Sequence, residues 1–551
     1  MRRTTLAAPL AVLASFIHVA HAAMPAKQPR LRVLGTYESG LFNVGGAEIP
    51  AYDPVSRRAF MVNAGSATVD VLDLRNPKKP TKVGSLDIVA DLAPRSVGAA
   101  NSVDVRRGML AVAIEADPKQ DDGWVAFYST QTLELLAVVP AGALPDMVAF
   151  TEDGRYALAA NEGEPDDSYT NDPEGTVTII DLTRIGRANA TKTVRFNDFN
   201  VGGPRHDELP ADVRIYGPGA TVAQDLEPEY TTTDGETAWV TLQENNAVAV
   251  IDIRTARVKK VFALGFKDHS KARNKLDASD DDGAIRIRRW PVFGMYQPDS
   301  IANFRIGDKH YLITANEGDT RDYDGYSEEE RVADLTLDPT AFPNAAELQE
   351  DANLGRLTVT TSQGDTDGDG DFDRLYVPGG RSFSIWNART GALVFDSGAE
   401  LEQLLANLLP DDFNANHEEN DSLDNRSDNK GPEPEGLALG VVKGRLYAFV
   451  GFERIGGILT LDLSDPRNPE YVDYVNNRRF RDAAGEPVPT CAEFDPADSE
   501  DIDDCIKGNP AAGDLGPEGL EFVPAHDAPR GMPLLIVGNE VSGTTTVYEV
   551  R

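Results

Sequence analysis

Groups of short apolar runs recur seven times along this chain of 551 residues. Each group holds three β-branched or aromatic runs separated by turns rich in Asp, Gly, Asn and Pro, and a further run usually follows, as in TKVGSLDI and KKVFALG. Short runs of this composition, bounded by turn residues, predict β-strands. Four-stranded units repeated seven times predict an all-β fold, a seven-bladed β-propeller of four-stranded blades.

The two ends of the chain predict how such a ring closes. The seventh group ends with TTTVYEV and lacks a fourth strand, while LRVLGTY precedes the first group and belongs to none. Exposed strand edges are unfavourable in sheets. We therefore expect the N-terminal strand 31–37 to pair with the C-terminal strand 543–549 and close the propeller.

The N-terminus has the features of an export signal. Arg2 and Arg3 precede an apolar stretch that ends in Ala-His-Ala, which predicts a signal peptide at 1–22. The alternative, a membrane anchor, is disfavoured because the apolar stretch is short for a bilayer span. We expect an exported, periplasmic or extracellular protein, soluble after cleavage near Ala22 and without a membrane span. The remainder, 23–551, is predicted to be one propeller domain with long insertions at about 264–297, 319–380, 400–432 and 476–515.

The charge of the chain limits its partners. With 90 acidic and 53 basic residues, the formal net charge is −37. Such an excess of negative charge argues against nucleic acid or anionic membranes as partners and favours cations. The two cysteines, Cys491 and Cys505, predict a local disulfide in an exported protein. Since no two histidines have metal-ligand spacing, a zinc or iron–histidine site is not expected.

Carboxylates recur in register at two places in the repeat. At the start of the first strand the seven groups carry Glu48, Asn101, Asp146, Glu229, Asp299, Glu435 and Glu518. At the end of the second strand they carry Ala64, Glu115, Glu162, Glu244, Glu317, Glu453 and Glu540. In a propeller these two places lie on the same face, so both acidic sets are predicted to surround one mouth of the central channel.

Crowded carboxylates have two interpretations. Like charges in proximity disfavour ionisation, and either raised pKa values or bound cations relieve the repulsion. Oxygen ligands without His or Cys predict Ca²⁺, with Mg²⁺ as the less favoured cation. The alternative is that the acids cap turns by accepting hydrogen bonds from backbone N–H groups.

A second cation signal lies within GDTDGDGDFDRLYV. Its aspartates match positions 1, 3, 5, 7 and 9 of a calcium-binding loop: Asp365, Asp367, Asp369, Asp371 and Asp373. Gly370 provides the sharp turn at position 6, but Tyr376 replaces the usual glutamate at position 12. The alternative interpretation is a solvated acidic turn.

Several longer strings resemble a known family. They include YGPGATVAQDLEPEY, WPVFGMYQPDSI, DNRSDNKGPEPEGLA and LLIVGNEVSGTTTVYEV. Through them the chain resembles the bacterial choice-of-anchor I family, whose relatives include the mesenchyme-specific cell-surface glycoproteins of biomineralising tissue. The resemblance covers nearly the whole chain after the signal and implies an exported β-propeller. Some bacterial members are labelled alkaline phosphatase, and the Pro-Glu-Gly-Leu strings resemble those of calcium-dependent, phytase-like propellers.

Two functions follow from these patterns. The favoured hypothesis is a calcium-binding propeller whose acidic mouth engages a matrix, mineral, polysaccharide, protein or other phosphate-bearing ligand. The alternative is a calcium-dependent phosphoesterase, similar to alkaline phosphatase or phytase, in which clustered cations activate water and Arg205, Arg321 and Arg381 clamp the phosphate. Binding is favoured because no Ser-His-Asp or Cys-His arrangement is legible.

Overall fold

Seven four-stranded antiparallel sheets contain most of the β-strands of the described chain. The computed structural model describes residues 28–551 apart from 188, 495–501 and 503–504. The expected signal peptide at 1–22 lies outside the described residues. Within them the chain is all-β with a few short helices, as the repeated strand pattern predicts, and the arrangement is consistent with a propeller-like fold.

The sheets follow one another along the chain and are numbered here in that order. Sheets 1 to 3 contain Pro50–Asp53, Arg58–Asn63, Thr68–Asp73 and Thr81–Asp87; Val97–Arg106, Met109–Ala116, Asp122–Ser129 and Leu135–Ala143; and Pro145–Phe150, Tyr156–Asn161, Thr176–Asp181 and Thr191–Arg195. Sheets 4 to 6 contain Pro228–Thr233, Thr237–Leu242, Ala247–Asp252 and Arg257–Ala263; Ile301–Ile306, Lys309–Asn316, Ser382–Asn387 and Leu393–Asp396; and Pro434–Val442, Arg445–Phe452, Ile458–Asp462 and Glu470–Val475. Sheet 7 contains Pro517–Val523, Leu534–Asn539 and Thr544–Val550, and its fourth strand is Leu31–Glu38.

Sheet 7 combines both ends of the described chain. Leu31 pairs with Val550 and Glu38 with Thr544 in an antiparallel ladder. The expected pairing of the N-terminal and C-terminal strands is therefore present. It supplies sheet 7 with the strand that its own stretch of sequence lacks.

The hydrophobic core is divided among the spaces between successive sheets. Phe60 of sheet 1 packs with Val112 of sheet 2, and Ile536 of sheet 7 packs with Ala59 of sheet 1. The other neighbouring pairs each enclose a comparable cluster. At the narrow end of each space, the first strand of one sheet contacts the first strand of the next, and the first strand of sheet 7 contacts that of sheet 1.

Additional elements lie between or within the sheets. Small sheets are formed by Phe266–Asp268, Phe293–Met295 and Tyr376–Val377; by Asp322–Tyr323 and Tyr326–Ser327; by Glu329–Arg331 and Thr358–Thr360; and by Cys491–Phe494 and Cys505–Gly508. The α-helices among the described residues are Ile88–Leu92, Val222–Asp225, Ala345–Leu348 and Glu400–Leu408. Single helical turns lie at Ala64–Ser66, Leu182–Arg184, Asn197–Phe199, His206–Glu208, Val332–Asp334, Asp351–Gly355 and Pro510–Ala512.

The predicted disulfide joins Cys491 to Cys505. It belongs to a small apolar cluster with Phe42 and Val541, next to the paired chain ends. Among the helices that the structure describes, none has both the length and the apolar character needed to cross a membrane.

Candidate metal centre

Four of the six acidic residues that begin the first strands lie in β-bulges. In sheet 6 the ladder passes from Pro434 directly to Leu437, so Glu435 and Gly436 lie outside it. The same shift occurs in three other sheets, at Asp146, Glu229 and Glu518. A bulge re-aims its side chains away from the regular ladder, and bulges are common beside functional sites.

The glycine of the repeated Pro-Glu-Gly-Leu string allows neighbouring bulges to touch. A Cβ atom on Gly436 would overlap the carbonyl oxygen of Glu518, and one on Gly519 would lie 2.6 Å from the carbonyl oxygen of Glu48. Only glycine permits this close approach of two backbones. As a result, the carboxylates of successive first strands are brought side by side.

These bulges surround a cavity of about 80 Å³. Four of the predicted acidic residues line it together with Asn101 and Tyr230: Asp146, Asp299, Glu435 and Glu518. Among the described residues, Oε2 of Glu435 and Oε2 of Glu518 are buried without a hydrogen-bond partner. The prediction that the first acidic set converges is therefore correct for these members.

A carboxylate trio of Glu162, Glu229 and Glu244 lies beside this cavity. One oxygen of each lies within 4.8 Å of the other two. The residues are 9%, 8% and 4% exposed, respectively. Oε2 of Glu229 and Oε2 of Glu244 have no hydrogen-bond partner among the described residues. The trio joins one residue of the first predicted set to two of the second.

Burial and mutual repulsion raise the pKa values of these acids. Burial raises the pKa of Glu48 to about 8, and the charges of Glu540 and Asp146 add to the rise. Burial raises the pKa of Glu229 well above its usual value, with Glu244 as the next cause. Burial likewise raises the pKa of Asp146 to about 6 and that of Glu244 to about 7. Burial is also the main cause of the raised pKa values of Glu162, Asp299, Glu435 and Glu518.

On the other side of the mouth, the carboxylates are neutralised by basic side chains. Nζ of Lys430 lies 2.7 Å from Oε1 of Glu317 and 3.1 Å from Oε2 of Glu433. Nε of Arg454 lies 3.0 Å from Glu433 and 3.2 Å from Glu453. Although burial opposes it, Arg454 and Lys430 hold the pKa of Glu433 well below its usual range. Lys430 does not fully offset burial at Glu317, whose pKa is raised to about 7, so the basic partners balance the charge of this half only in part.

His417 connects the two halves. Its Nδ1 lies 2.9 Å from Oε1 of Glu453 and 3.8 Å from Oε1 of Glu540. Arg454 Nη1 is 2.6 Å from His417 Nε2. Burial raises the pKa of Glu540 to about 7, with the charge of Glu453 as the next cause. Glu540 is thus a mouth residue on the border of the ion-paired half.

The turn-capping interpretation applies to sheet 2. Oε1 of Glu115 accepts a hydrogen bond from the backbone N–H of Ala99 at 3.0 Å. Sheet 2 is also the sheet whose first strand carries Asn101 in place of an acid. Capping does not account for the trio, because Glu229 and Glu244 keep oxygens without partners.

The aspartate loop 365–373 has a different character. Ligand oxygens of Asp365, Asp367 and Asp373 lie within 4.8 Å of one another. The backbone N–H of Gly368 and that of Gly370 donate to Asp365, at 2.6 and 3.1 Å. The exposed Asp369 accepts from the N–H of Asp371 at 3.2 Å. In addition, Asp371 and Asp373 form a second group with Asp338, which lies outside the predicted loop.

The three arginines considered for a phosphate clamp do not form one. Arg321 and Arg381 are 1% and 3% exposed. Arg321 bonds Asp225 and Glu227, and Arg381 bonds Glu402 at 2.9 Å. Arg205 belongs to the segment between sheets 3 and 4, and its Nη1 donates to the carbonyl of Val258, in the outer strand of sheet 4, at 2.6 Å.

Several charged residues of the mouth are absent from the sequence prediction. Glu227, Asp319, Lys430 and Glu433 lie just outside the repeated positions, and Lys430 belongs to an insertion. The Asn-Glu-Gly string common to 161–163 and 316–318 marks the second acidic set, but nothing in it indicates which acids have basic partners.

Comparison with known proteins assigns this chain to a family. The choice-of-anchor I domain model matches residues 48–466. Gigasin-3a of Magallana gigas is 32% identical over 209 residues, covering 37% of this chain and 67% of that protein. The mesenchyme-specific cell surface glycoprotein of Strongylocentrotus purpuratus is 28% identical over 308 residues, covering 48% of this chain and 39% of that protein.

Solved structures give weaker likenesses. Kuenenia stuttgartiensis hydrazine synthase has a TM-score of 0.42 at 13% identity, covering 92% of this chain and 96% of that one. A chain of a mitotic checkpoint complex has a TM-score of 0.42 at 10% identity, covering 98% and 99% of the two chains. Scores of this size support no statement about function, so the family match is the informative comparison. Spanning most of the chain, it shows that this protein belongs to the choice-of-anchor I domain family.

Proposed function

We propose that this protein is an exported, calcium-binding β-propeller that acts as a surface or matrix binding protein through its acidic mouth. The family and the disulfide suggest export. The mouth provides the candidate site, and Ca²⁺ is the proposed cation. Ligand capture through the bound ion, rather than hydrolysis, is the proposed activity.

A closed seven-bladed ring is part of this proposal. Seven sheets of equal strand number, contacts between consecutive first strands and a return contact from sheet 7 to sheet 1 support it. Apolar clusters between sheets 7 and 1, as between every other neighbouring pair, also support it. In such a ring the first strands line the axis, so their bulged acids meet at one opening.

The observation that carries the cation proposal is the trio Glu162, Glu229 and Glu244. Three carboxylates share a buried site, and Glu229 and Glu244 have oxygens without hydrogen-bond partners among the described residues. A buried polar atom without a partner costs about 1–3 kcal/mol, and more when it is charged. A divalent cation would satisfy these oxygens and remove the repulsion.

The donor chemistry favours Ca²⁺ over other cations. The trio provides carboxylate oxygens only, and hard oxygen ligands suit Ca²⁺ and Mg²⁺ rather than transition metals. Ca²⁺ accepts six to eight oxygens in flexible geometry, whereas Mg²⁺ requires a near-ideal octahedron. Asp146 and Asp299, which line the adjoining cavity, offer additional oxygens.

Binding is preferred to phosphoester hydrolysis. A phosphoesterase would need cationic groups available to the phosphate, but Lys430, Arg454 and Arg321 are each bonded to carboxylates. A relative is named as a cell surface glycoprotein, which agrees with a role in surface interaction. The ligand classes proposed are a mineral, a polysaccharide, a phosphate-bearing molecule or a protein.

A calcium-dependent activity assay tests the preference. Purified chain is assayed with phosphomonoesters and phosphodiesters, with Ca²⁺ and with a chelator, while calcium binding is measured by calorimetry. We expect calcium binding and a raised melting temperature without turnover, because a ligand of the folded state stabilises it. Turnover that is abolished both by the chelator and by Glu435→Gln would replace this function with the phosphoesterase.

A further inference from the structure

A groove runs between the outermost strands of sheets 3 and 4. Its larger part, about 520 Å³, lies between Arg195 and the segment 256–259. Its smaller part, about 150 Å³, includes Lys192, Ile253 and Arg254. The two parts lie against neighbouring stretches of one segment, residues 256–259 and 253–254, and Nζ of Lys192 donates to the carbonyl of Arg254 at 2.9 Å.

The lining of this groove is mainly basic, although the chain as a whole is acidic. The larger part carries four basic residues, Arg195, Arg205, Arg257 and Lys259, and one acid, Asp198. The smaller part carries four more, Arg155, Arg184, Lys192 and Arg254, and one acid, Asp181. In the whole chain, by contrast, 90 acids outnumber 53 bases. The segments 182–195 and 253–260 that form much of both walls contain no acid.

Half of these cations have no carboxylate partner within the described part of the chain. Arg184, Arg195, Arg205 and Lys259 each lie within 4.0 Å of a carboxylate. No ion pair involves the other four, Arg155, Lys192, Arg254 and Arg257, which are exposed. Charges farther away than a Debye length of about 8 Å are largely screened, so a ligand in the groove responds mainly to the charges that line it.

The groove is separate from the acidic mouth. The strand Tyr156–Asn161 of sheet 3 runs from the groove to the mouth. Tyr156 pairs with Asp181 at one end of this strand, and Asn161 at the other end precedes the trio residue Glu162. Tyr156 and Asp181 both line the smaller part of the groove. The larger part extends along the outer strands, whereas the mouth is formed from the first strands. A ligand in the groove would therefore not depend on the cation site.

We propose that this groove binds an anionic polysaccharide carrying carboxylate or sulfate groups. Guanidinium groups bind such planar or multi-oxygen anions through paired hydrogen bonds. A protein partner is disfavoured because protein interfaces need an apolar centre, and Phe199 and Val258 in the lining are only 1% and 6% exposed. The amide of the exposed Asn189 supplies a further donor suited to sugar hydroxyls.

Binding of labelled dextran sulfate and polygalacturonate tests the proposal. The protein is titrated into each labelled polysaccharide, and binding is followed by fluorescence anisotropy. A chelator is present throughout, so that calcium at the mouth does not contribute to the measured affinity. We expect binding that weakens with salt, and a loss of about tenfold or more in affinity for Arg254→Glu/Arg257→Glu, because each reversal replaces an attraction by a repulsion. The matched control Arg289→Glu/Lys309→Glu makes the same change in net charge at exposed positions outside the groove.

Each outcome decides the matter. A loss of affinity in the groove variant but not in the control supports the proposal. If the double variant fails to fold, Arg257→Ala is measured in its place, and a smaller loss of affinity is expected. Equal loss in the control, or binding no stronger than that of neutral dextran, overturns it. Binding of polyglutamate or DNA as tight as that of the polysaccharides would also overturn it, because the groove would then recognise charge alone.

Discussion

The trio at the mouth and the aspartate loop 365–373 are both candidate calcium sites, but they differ in how their oxygens are satisfied. In the loop, Asp365 and Asp373 accept hydrogen bonds from the backbone N–H groups of Gly368 and Thr366. In the trio, Glu229 and Glu244 retain buried oxygens without partners. Under the proposed function, a bound cation would therefore satisfy more unpaired oxygens at the trio than at the loop.

This difference reflects how each site is built. The loop is local, exposed and formed by nine consecutive residues, so solvent can screen its charges. The trio joins residues from sheets 3 and 4 in a buried place, where repulsion is strong and protons bind in place of metal. Cation binding at either site should stabilise the folded state, but only binding at the mouth should depend strongly on pH near neutrality.

The largest expected effect is the loss of calcium-dependent stability in Glu229→Gln/Glu244→Gln. A site occupied at one hundred times its Kd stabilises the folded state by about 2.7 kcal/mol. The double variant should lose this gain, and at high pH without calcium it should be more stable than the parent because two buried charges are removed. Urea denaturation with and without Ca²⁺ measures both effects. The control Asp367→Asn/Asp369→Asn should lose only the stabilisation that calcium provides at the loop. Loss of the whole calcium-dependent stabilisation in the control, with none lost in the trio variant, would contradict the assignment of the mouth as a calcium site.

The next effect concerns pH without metal. Because burial raises the pKa of Glu48 from 4.5 to about 8 and that of Glu244 to about 7, the folded protein holds protons that the unfolded chain releases. The free energy of unfolding should therefore fall as pH rises through this window. We expect a fall of more than about 1.4 kcal/mol, the equivalent of one pKa unit. Urea denaturation in a chelator, across the pH range from about 4.5 to about 8, measures this fall. Repeating the series with saturating Ca²⁺ should remove most of the dependence of the free energy of unfolding on pH. Stability that rises with pH in the chelator would contradict the account.

A smaller effect is proton release on calcium binding. At neutral pH the mouth should release about one proton per bound ion, because the cation displaces protons from carboxylates with raised pKa values. Asp373 in the loop has no such proton, since its hydrogen bonds from Thr366 lower its pKa. Calorimetry in buffers of different ionisation enthalpy measures the number of protons released per bound calcium ion, and so distinguishes binding at the mouth from binding at the loop. Release that persists in Glu229→Gln/Glu244→Gln would assign it to another site.

The smallest expected effect belongs to the loop. Asp367→Ala should remove one calcium equivalent, and in a chelator it should change the free energy of unfolding by less than about 0.5 kcal/mol, as is usual for exposed positions. Equilibrium dialysis gives the stoichiometry, and urea denaturation gives the stability. Unchanged stoichiometry would exclude the loop as a site.

The sequence predicts the strands and the convergence of the acids because both depend on a repeated pattern. Glu435 and Glu518 occupy the same place in two repeats, and they line the same cavity. The pairing of Leu31–Glu38 with Thr544–Val550 also follows from the repeat, since one unit has a surplus strand and another lacks one.

What the sequence does not predict depends on contacts between distant segments. Lys430 and His417 enter the mouth from an insertion that has no counterpart in other repeats, so periodicity gives no information about them. Asp338 joins the aspartate loop through a bridge between Leu337 and Phe372. The basic groove is likewise not predicted from the sequence, because its two walls are brought together only when sheets 3 and 4 pack.

Anomalous diffraction from crystals grown with Ca²⁺ tests the central claim most directly. The account predicts a calcium peak within about 2.3–2.6 Å of carboxylate oxygens from Glu162, Glu229 and Glu244, at pH values where the free acids would be ionised. Absence of that peak while the loop around Asp365 is occupied would show that the mouth balances its charge with protons alone.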